Sequence, residues 1–267
     1  MKALITGANG TVGHALAAHL ESLGHSWIGW DRSRISIDSY HDMEAFVQET
    51  DPDAIFHLAI CSSPTGRDNE NWLVNYQWPG ELAWIARILS IPFLCASTVL
   101  VFAADQQGPF APSDTPLSEE EYGSIRRHGE QRILSQNPGA HIARLGWQIG
   151  DAPGSNNMID FFQKQQEEHG EVRASSLWFP ACSFLQDTAA ALLSLIDMPR
   201  GLYQLDENRG WSFARIAAAL NRRHGNNWNI VPCEDFSQDQ RMLDQRISMP
   251  SLRERLPDLP ELESGGQ

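Results

Sequence analysis

Three glycines near the start of the chain have the spacing of a phosphate-binding loop. Gly7, Gly10 and Gly13 directly follow the apolar segment 3–6, and apolar residues at helical spacing begin within the loop. In such a loop the first glycine permits a tight turn, the second lets the backbone approach a pyrophosphate, and the third lets a helix pack closely on the strand. The N–H groups that start the helix then face the phosphates. Because the glycines lie between a strand and a helix, the pattern predicts dinucleotide binding.

The choice of dinucleotide depends on residues about twenty positions beyond the first glycines. Asp31 ends the second apolar segment, where a carboxylate can accept hydrogen bonds from the adenosine ribose, and this favours NAD(H). Arg32 and Arg34 follow at once, where guanidinium groups can bind a 2′-phosphate, and this favours NADP(H). Because of the two arginines, we predict NADP(H) slightly ahead of NAD(H), which stays an open alternative.

The elements that position these residues alternate along the first half of the chain. Short apolar runs predict strands at 3–6, 26–30, 54–59, 93–97 and 141–145, and helical spacing predicts helices between them, the last two at 71–90 and 119–135. Such alternation is typical of an α/β fold with a parallel, doubly wound sheet. We therefore predict a Rossmann fold for this half.

The alternation becomes irregular after residue 146. Helices are predicted at 158–169, 186–197 and 211–223 and a strand at 201–205, while 177–184 shows no regular pattern. We predict a cofactor-binding domain at 1–145. A smaller substrate-side lobe is predicted at 146–267, partly interleaved with the last strands of the sheet.

Composition argues against several classes of function. The 267 residues include 34 acidic and 20 basic side chains, for a formal net charge of −14. Such a surface repels polyphosphate and anionic lipid, so neither nucleic acid nor a membrane is expected as the main partner. The four cysteines form no CxxC pair, and the histidines show no zinc-ligand spacing, so reduced thiols and no metal are predicted. The chain shows neither a signal-peptide layout nor a bilayer-spanning run, and a cytoplasmic protein is expected.

Several further segments carry a resemblance to a known family. They are the GxxGxxG loop, 57–59, Val74-Asn75, 95–102 with its Ser97-Thr98 pair, 122–130 and 144–147. In this order they resemble segments of the extended short-chain dehydrogenase/reductase superfamily, and of its dTDP-4-dehydrorhamnose reductases in particular. The resemblance covers nearly the whole chain, and the glycine loop and the tyrosine segment are its specific parts.

The resemblance implies hydride transfer from a nicotinamide to the carbonyl group of a sugar-nucleotide-like substrate. Tyr122 is then expected to donate the proton, while Thr98, helped by Ser97, hydrogen-bonds the carbonyl oxygen and Trp147 contacts the substrate. The residues implied for the cofactor are Gly7, Asn9, Gly10, Val12, Gly13, Asp31, Arg32, Leu58, Ala59, Asn75, Ser97, Tyr122 and Arg126.

The catalytic segment departs from the family at one position. A free phenol titrates near pH ~10, so a tyrosine acid needs a neighbouring cation, which in the family is a lysine four residues on. Here that residue is Arg126, which supplies charge but cannot release a proton. Only Lys2 and Lys164 are lysines, so no neighbouring lysine replaces it. Two alternatives stay open: a weak or silent NADP-binding or regulatory protein, and an NAD-dependent epimerase or dehydratase.

Two smaller departures concern the metal and the pocket. Family members that bind magnesium at a dimer contact have an acidic residue where this chain has Ala15, so no such metal is predicted. Val99 and Leu100 replace an acidic and an aromatic residue after the threonine, which makes the carbonyl side more apolar. A homodimer is left open.

Overall fold

The computed structural model describes residues 1–62 and 64–262. The strands are β1 (Lys2–Thr6), β2 (Ser26–Gly29), β3 (Ala54–His57), β4 (Phe93–Thr98), β5 (His141–Leu145), β6 (Trp147–Ile149), β7 (Val172–Ser175), β8 (Trp178–Phe179), β9 (Cys182–Phe184), β10 (Gly201–Leu205), β11 (Ile230–Cys233) and β12 (Gln238–Asp239). The helices are α1 (Thr11–Ser22), α2 (Tyr40–Thr50), α3 (Glu70–Trp72), α4 (Trp78–Ile88), α5 (Glu121–Gln136), α6 (Met158–His169), α7 (Leu185–Leu195), α8 (Phe213–Arg223) and α9 (Leu252–Arg255). Among the described residues, no helix is long and apolar enough to cross a membrane.

Six strands form the central sheet, in the order β10-β5-β4-β3-β1-β2. The pairs β1–β2, β1–β3 and β3–β4 are parallel, and Leu4 lies opposite Ile28 on one side and Ile55 on the other. The predicted doubly wound α/β fold is thereby confirmed. Because β2 and β3 flank β1 on opposite sides, the strand order reverses at β1. A ligand crevice is expected at the carboxyl ends of the strands there.

Two segments differ from the prediction. The helix predicted at 71–90 is divided into α3, a π-helical turn at Leu73–Gln77, and α4. Pro79 lies in the first turn of α4, directly after the π-helical turn, and its nitrogen has no hydrogen to donate to the preceding turn. The segment 177–184 is also more regular than predicted, because it contains β8 and β9, which pair with β12 and β6.

The chain forms two compact units. The first comprises residues 1–103, 115–144 and 188–203, and the second comprises 104–114, 145–187 and the residues from 204 onward. The core of the first unit is made by apolar residues of the sheet together with α2, α4 and α5, and Trp78 and Phe93 are among its largest fully buried side chains. The boundary at residue 145 for a separate substrate lobe stays a prediction.

The second unit has an aromatic core beside a buried carboxyl group. Phe162, Phe213 and Trp228 pack among aliphatic residues of α6 and α8. Glu207 is 0% exposed, and its Oε1 accepts a hydrogen bond of 3.2 Å from the N–H of Phe184, while its Oε2 has no partner among the described residues. Burial, and then the nearby Asp187 carboxylate, raise the pKa of Glu207 to about 9. The folded protein therefore holds this group in its neutral form at pH 7.

Replacing Glu207 with glutamine is expected to stabilise the protein at alkaline pH. A carboxyl whose pKa is raised by folding gives its full contribution to stability below its ordinary value of 4.5, and this contribution is lost as the pH rises to about 9. Since an amide does not titrate, the variant should have a free energy of unfolding about 1–3 kcal/mol above that of the wild type at pH 8, and no such gain at pH 4. Urea unfolding at both pH values measures the difference.

The exposed carboxylate of Glu234 in the same unit provides the control. Glu234→Gln should change stability by the same small amount at both pH values. An equal effect of Glu207→Gln at pH 4 and pH 8 would contradict the raised pKa.

Candidate active site and dinucleotide pocket

The glycine loop joins β1 to α1 and leaves no room for side chains at two positions. Gly7 has a φ of +71°, which residues with a Cβ rarely adopt. A Cβ at Gly13 would lie 2.1 Å from the carbonyl oxygen of Gly7, and a Cβ at Gly7 would lie 2.8 Å from the Cα of Ala59. Helix α1 begins at Thr11, its N-cap residue Gly10 supplies no side-chain cap, and its first turn has no acidic residue. The loop therefore presents a helix N-terminus that suits an anion.

A pocket of about 520 Å³ lies at the carboxyl ends of β1, β2 and β3. Seven of the residues predicted to contact the cofactor line it: Gly7, Asn9, Gly10, Asp31, Arg32, Leu58 and Ala59. The hydroxyl of Thr6 accepts hydrogen bonds from the backbone N–H groups of Leu58 (3.1 Å) and Ala59 (3.2 Å), and so holds two strand ends side by side. The volume falls within the range of small-molecule sites, roughly 300–1,000 Å³. The pocket and the side-chain-free glycine cradle fit a dinucleotide.

The turn after β2 puts opposite charges on the wall of this pocket. The carboxylate of Asp31 accepts hydrogen bonds from the N–H (2.9 Å) and the hydroxyl (2.6 Å) of Ser33. These bonds hold the pKa of Asp31 below its usual value. Arg32 Nη1 lies 3.4 Å from Oε1 of Glu70, whereas Arg34 is exposed. In the same turn a ribose hydroxyl would thus meet the carboxylate of Asp31, and a 2′-phosphate would meet the guanidinium of Arg32 or Arg34.

The end of β4 carries the two predicted hydroxyl groups, and they have different surroundings. Thr98 is half-buried, and its Oγ1 accepts a hydrogen bond of 3.2 Å from the N–H of Leu100. Its own O–H proton can therefore be donated to a ligand. Ser97 is buried, and its hydroxyl donates to Oε1 of Glu130 at 2.5 Å. Thr98 is thus better placed than Ser97 to bind a carbonyl oxygen.

A buried ion pair holds β4, β5 and α5 together. Arg144 donates from Nε (3.0 Å) and Nη2 (2.7 Å) to the two carboxylate oxygens of Glu130. The two side chains are 3% and 6% exposed. Arg144 also lies 5.0 Å from the ring centroid of Phe102. Because Glu130 also accepts from Ser97, this one carboxylate fixes the strand end that carries Thr98.

Close packing brings the first turn of α5 against the segment that follows β4. A Cβ at Gly123 would lie 2.1 Å from the carbonyl oxygen of Leu100, and 2.2 Å from Oγ of Ser118. Tyr122 precedes this glycine and is half-buried. The absence of a side chain at 123 therefore lets the backbone of α5 beside Tyr122 lie against the segment that follows β4. The role of Tyr122 as the proton donor stays a prediction.

Arg126 lies one turn beyond Tyr122 and is only 4% exposed. Its Nη2 donates to the carbonyl oxygen of Ala96, and its Nη1 lies 3.5 Å from Oδ1 of Asn75. Its Nε has no partner among the described residues, and no described carboxylate lies within 4 Å of its guanidinium. The result is a fixed, buried positive charge beneath the start of α5.

The positive charge of Arg126 lowers the pKa of a buried histidine nearby. Burial, and then the Arg126 guanidinium, lower the pKa of His57 to about 3. His57 is therefore neutral at pH 7, with its Nδ1 3.1 Å from the hydroxyl of Thr6. Asn75 donates to Asn71 at 2.6 Å, and Asn71 donates to Glu121 at 2.8 Å. This chain of amides links the buried guanidinium to a surface carboxylate next to Tyr122.

The other predicted residues lie outside the pocket lining, and they include Ser97, Thr98, Tyr122 and Arg126. Val12 and Gly13 are in the first turn of α1, and Asn75 is in the π-helical turn. Trp147 belongs to the second unit, where its ring stacks on Trp178 with centroids 5.8 Å apart. The roles of these residues stay predictions.

Sequence reasoning missed three groups near the site. Glu130 and Glu70 are buried carboxylates, and Arg144 entered only as part of a resemblance. Glu130 does have a sequence signal, because it lies one turn beyond Arg126 on the same helix face. Glu70 has none, since its partners Arg32 and Thr65 come from loops.

Known proteins of similar sequence act in saccharide biosynthesis. The probable low-salt glycan biosynthesis reductase Agl14 of Haloferax volcanii is 28% identical over 176 residues, which are 61% of this chain and 59% of that protein. The spore coat polysaccharide biosynthesis protein SpsK of Bacillus subtilis is 24% identical over 227 residues, 84% of this chain and 80% of that protein. The chain thus spans less than two thirds of the length of the first relative.

Solved structures of similar fold cover almost the whole chain. The dTDP-4-dehydrorhamnose reductase of Clostridium acetobutylicum has a TM-score of 0.80 at 22% identity, with 97% of this chain and 98% of that chain covered. The enzyme of the same name from Bacillus anthracis, solved in complex with NADP, has a TM-score of 0.79 at 20% identity, with the same coverage. A family model described as the RmlD substrate binding domain matches residues 1–239. The chain therefore belongs to the RmlD substrate binding domain family.

Proposed function

We propose that the chain is an NAD(P)H-dependent reductase that transfers hydride to a carbonyl group of a sugar-nucleotide-like substrate. The observation that carries the proposal is the arrangement on α5. Tyr122 and the buried cation Arg126 lie one turn apart, on a helix packed against the end of β4 that carries Thr98. The glycine cradle and its pocket belong to the same unit. The names of the relatives, which include dTDP-4-dehydrorhamnose reductases, support the choice of substrate class.

In this mechanism Thr98 and Tyr122 act on the oxygen of the substrate carbonyl, and Arg126 acts on Tyr122. The bound nicotinamide supplies the hydride. Thr98 donates a hydrogen bond to the oxygen, and Tyr122 donates the proton that completes the alcohol. Arg126 keeps a positive charge near the phenol, and its two protein contacts keep that charge in place. Arginine does not exchange a proton at neutral pH, so its part is electrostatic and positional.

The cofactor is a nicotinamide dinucleotide held by the glycine loop, with NADP(H) favoured over NAD(H). Arg32 and the exposed Arg34 support a bound 2′-phosphate, while Asp31 opposes it by charge. The relatives of similar fold include one solved with NADP and one solved with NAD+.

One observation favours a second candidate, a protein that binds the cofactor without turnover. Both terminal nitrogens of Arg126 contact protein groups, Ala96 and Asn75, so fewer of its N–H groups are left to bind a ribose. A site of this kind could keep dinucleotide affinity and lose the chemical step. Steady-state assays separate the two candidates.

The direct experiment follows the consumption of NADPH and NADH against a panel of 4-keto nucleotide sugars and simple aldehydes. Consumption that requires a keto sugar supports the reductase. Binding of the dinucleotides with no consumption for any compound supports the silent binder. Tightly copurified NAD that does not exchange would instead indicate an epimerase or dehydratase.

Replacing Arg126 tests the electrostatic role. Arg126→Met should lower turnover by about 10- to 100-fold, because the phenol loses its neighbouring cation. Arg126→Lys keeps the charge and frees it from the planar contacts with Ala96 and Asn75, so turnover should stay equal or rise several-fold, by about 2- to 5-fold. The measurement is the kcat of both variants with the best substrate of the panel. Equal losses in both variants would contradict a purely electrostatic role.

A further inference from the structure

A buried carboxylate lies behind the wall of the dinucleotide pocket. Glu70 is 6% exposed and does not line the pocket itself. Its Oε2 accepts hydrogen bonds from the N–H (2.6 Å) and the hydroxyl (2.9 Å) of Thr65. These bonds from Thr65 lower the pKa of Glu70, so the group is ionised at neutral pH. Its position is therefore fixed and its charge is permanent.

The other oxygen of this carboxylate faces Arg32, which does line the pocket. Arg32 Nη1 lies 3.4 Å from Oε1 of Glu70, and Arg32 is the only cation within 4 Å of that carboxylate in the described part of the chain. The Arg32 side chain pairs with Glu70 through Nη1, is still 38% exposed, and belongs to a residue that lines the pocket. Glu70 thus competes for the group best suited to bind a phosphate.

The position of Arg32 indicates which group of the ligand is affected when Glu70 competes for the guanidinium. The end of the second strand of a dinucleotide fold lies beside the 2′-position of the adenosine ribose. In NADP(H) that position carries a phosphate, and in NAD(H) it carries a hydroxyl. A carboxylate paired with Arg32 weakens the attraction for the phosphate and leaves a hydroxyl nearly unaffected.

We propose that Glu70 is a specificity-determining residue that restrains Arg32, limits the affinity for NADP(H), and so keeps NAD(H) competitive in this pocket. The inference rests on the proposed function, since it takes the pocket to bind a nicotinamide dinucleotide. It assigns to the segment before the π-helical turn a part in cofactor choice, through a residue that does not touch the cofactor.

The test is a binding titration that needs no substrate. Trp27, Trp30 and Trp78 line the pocket, so quenching of tryptophan fluorescence reports the binding of NADPH and NADH. In Glu70→Gln the amide oxygen can still accept from Thr65, while Arg32 is released. The dissociation constant for NADPH should fall about 5- to 10-fold and that for NADH should stay within about 2-fold.

Two further variants show that the gain passes through Arg32. Arg32→Met should weaken NADPH binding by about 10-fold, and adding Glu70→Gln to it should restore less than about 2-fold.

Asp38→Asn removes one carboxylate, paired with Arg67, without touching Arg32, and should leave the NADPH-to-NADH ratio unchanged. If Glu70→Gln folds poorly, Glu70→Asp, which withdraws the charge from Arg32, should give part of the same gain.

The outcomes separate this inference from the proposed function. If the wild-type protein binds neither dinucleotide, both are wrong. If both dinucleotides bind and Glu70→Gln leaves their ratio unchanged, only the role of Glu70 is overturned. An equal gain from Glu70→Gln in the Arg32→Met background would also overturn it, because the effect would then be plain repulsion of the phosphate.

Discussion

Replacing Tyr122 with phenylalanine should lower kcat by about 100- to 10,000-fold, the range expected when a general acid is removed. Phenylalanine keeps the ring in its half-buried place beside Gly123 and removes only the hydroxyl. The dissociation constant for NADPH should therefore stay within about 2-fold of the wild-type value. The measurements are the rate of NADPH consumption with the best keto sugar and a fluorescence titration of the same samples.

Tyr76 provides a matched control in the same unit. Its ring stacks on Trp72 with centroids 3.9 Å apart and lies under Arg132, while its hydroxyl makes no described hydrogen bond. Tyr76→Phe should keep kcat within about 2-fold, because the hydroxyl that it removes has no part in the proposed proton transfer. Retention of more than a tenth of the activity in Tyr122→Phe would contradict the assigned proton donor.

Replacing Arg144 with leucine should destabilise the first unit by about 3–5 kcal/mol, because Glu130 would remain charged and buried without its partner. The effect is large since Glu130 and Arg144 are both almost inaccessible to water. Arg144 lies in β5, so the two hydrogen bonds that attach β5 to α5 would be lost, while the bond from Ser97 in β4 to the same carboxylate would remain. Urea unfolding followed by tryptophan fluorescence measures the loss.

An exposed ion pair of the same unit provides the control for the contribution of burial to this loss of stability. Arg67 pairs with Asp38, and the two side chains are 50% and 40% exposed. Arg67→Leu should cost less than about 1 kcal/mol. The double variant Glu130→Leu and Arg144→Leu should recover part of the loss, because no buried charge is left alone. A cost below about 1 kcal/mol for Arg144→Leu alone would show that Glu130 is protonated or solvated in the folded protein.

Most of the first unit follows from local sequence patterns. The glycine loop, the alternation of strands and helices and the tyrosine helix each depend on residues close together in the chain. Gly7 needs a positive φ, and Gly13 must lie close to Gly7, so their spacing between a strand and a helix indicates the loop. The resemblance to the reductase family then pointed to Tyr122, Arg126 and Thr98 without any knowledge of contacts.

The contacts that position these residues could not be predicted in the same way. The π-helical turn at Leu73–Gln77 brings Asn75 to Arg126. Such a turn adds one residue to a helix, and this addition cannot be detected in the spacing of the apolar residues. The pairs Arg32–Glu70 and Glu130–Arg144 join residues 38 and 14 positions apart, across different elements. Such pairs arise from the tertiary fold, and a single sequence does not record them.

The double hydrogen bond at Thr6 has a consequence for the thermodynamics of ligand binding. One hydroxyl holds the N–H groups of Leu58 and Ala59, and the backbone of Ala59 lies directly against Gly7. This floor of the crevice is therefore preorganised before a dinucleotide enters. Little conformational entropy is lost there on association, so more of the interaction energy between the phosphates and the loop appears as affinity.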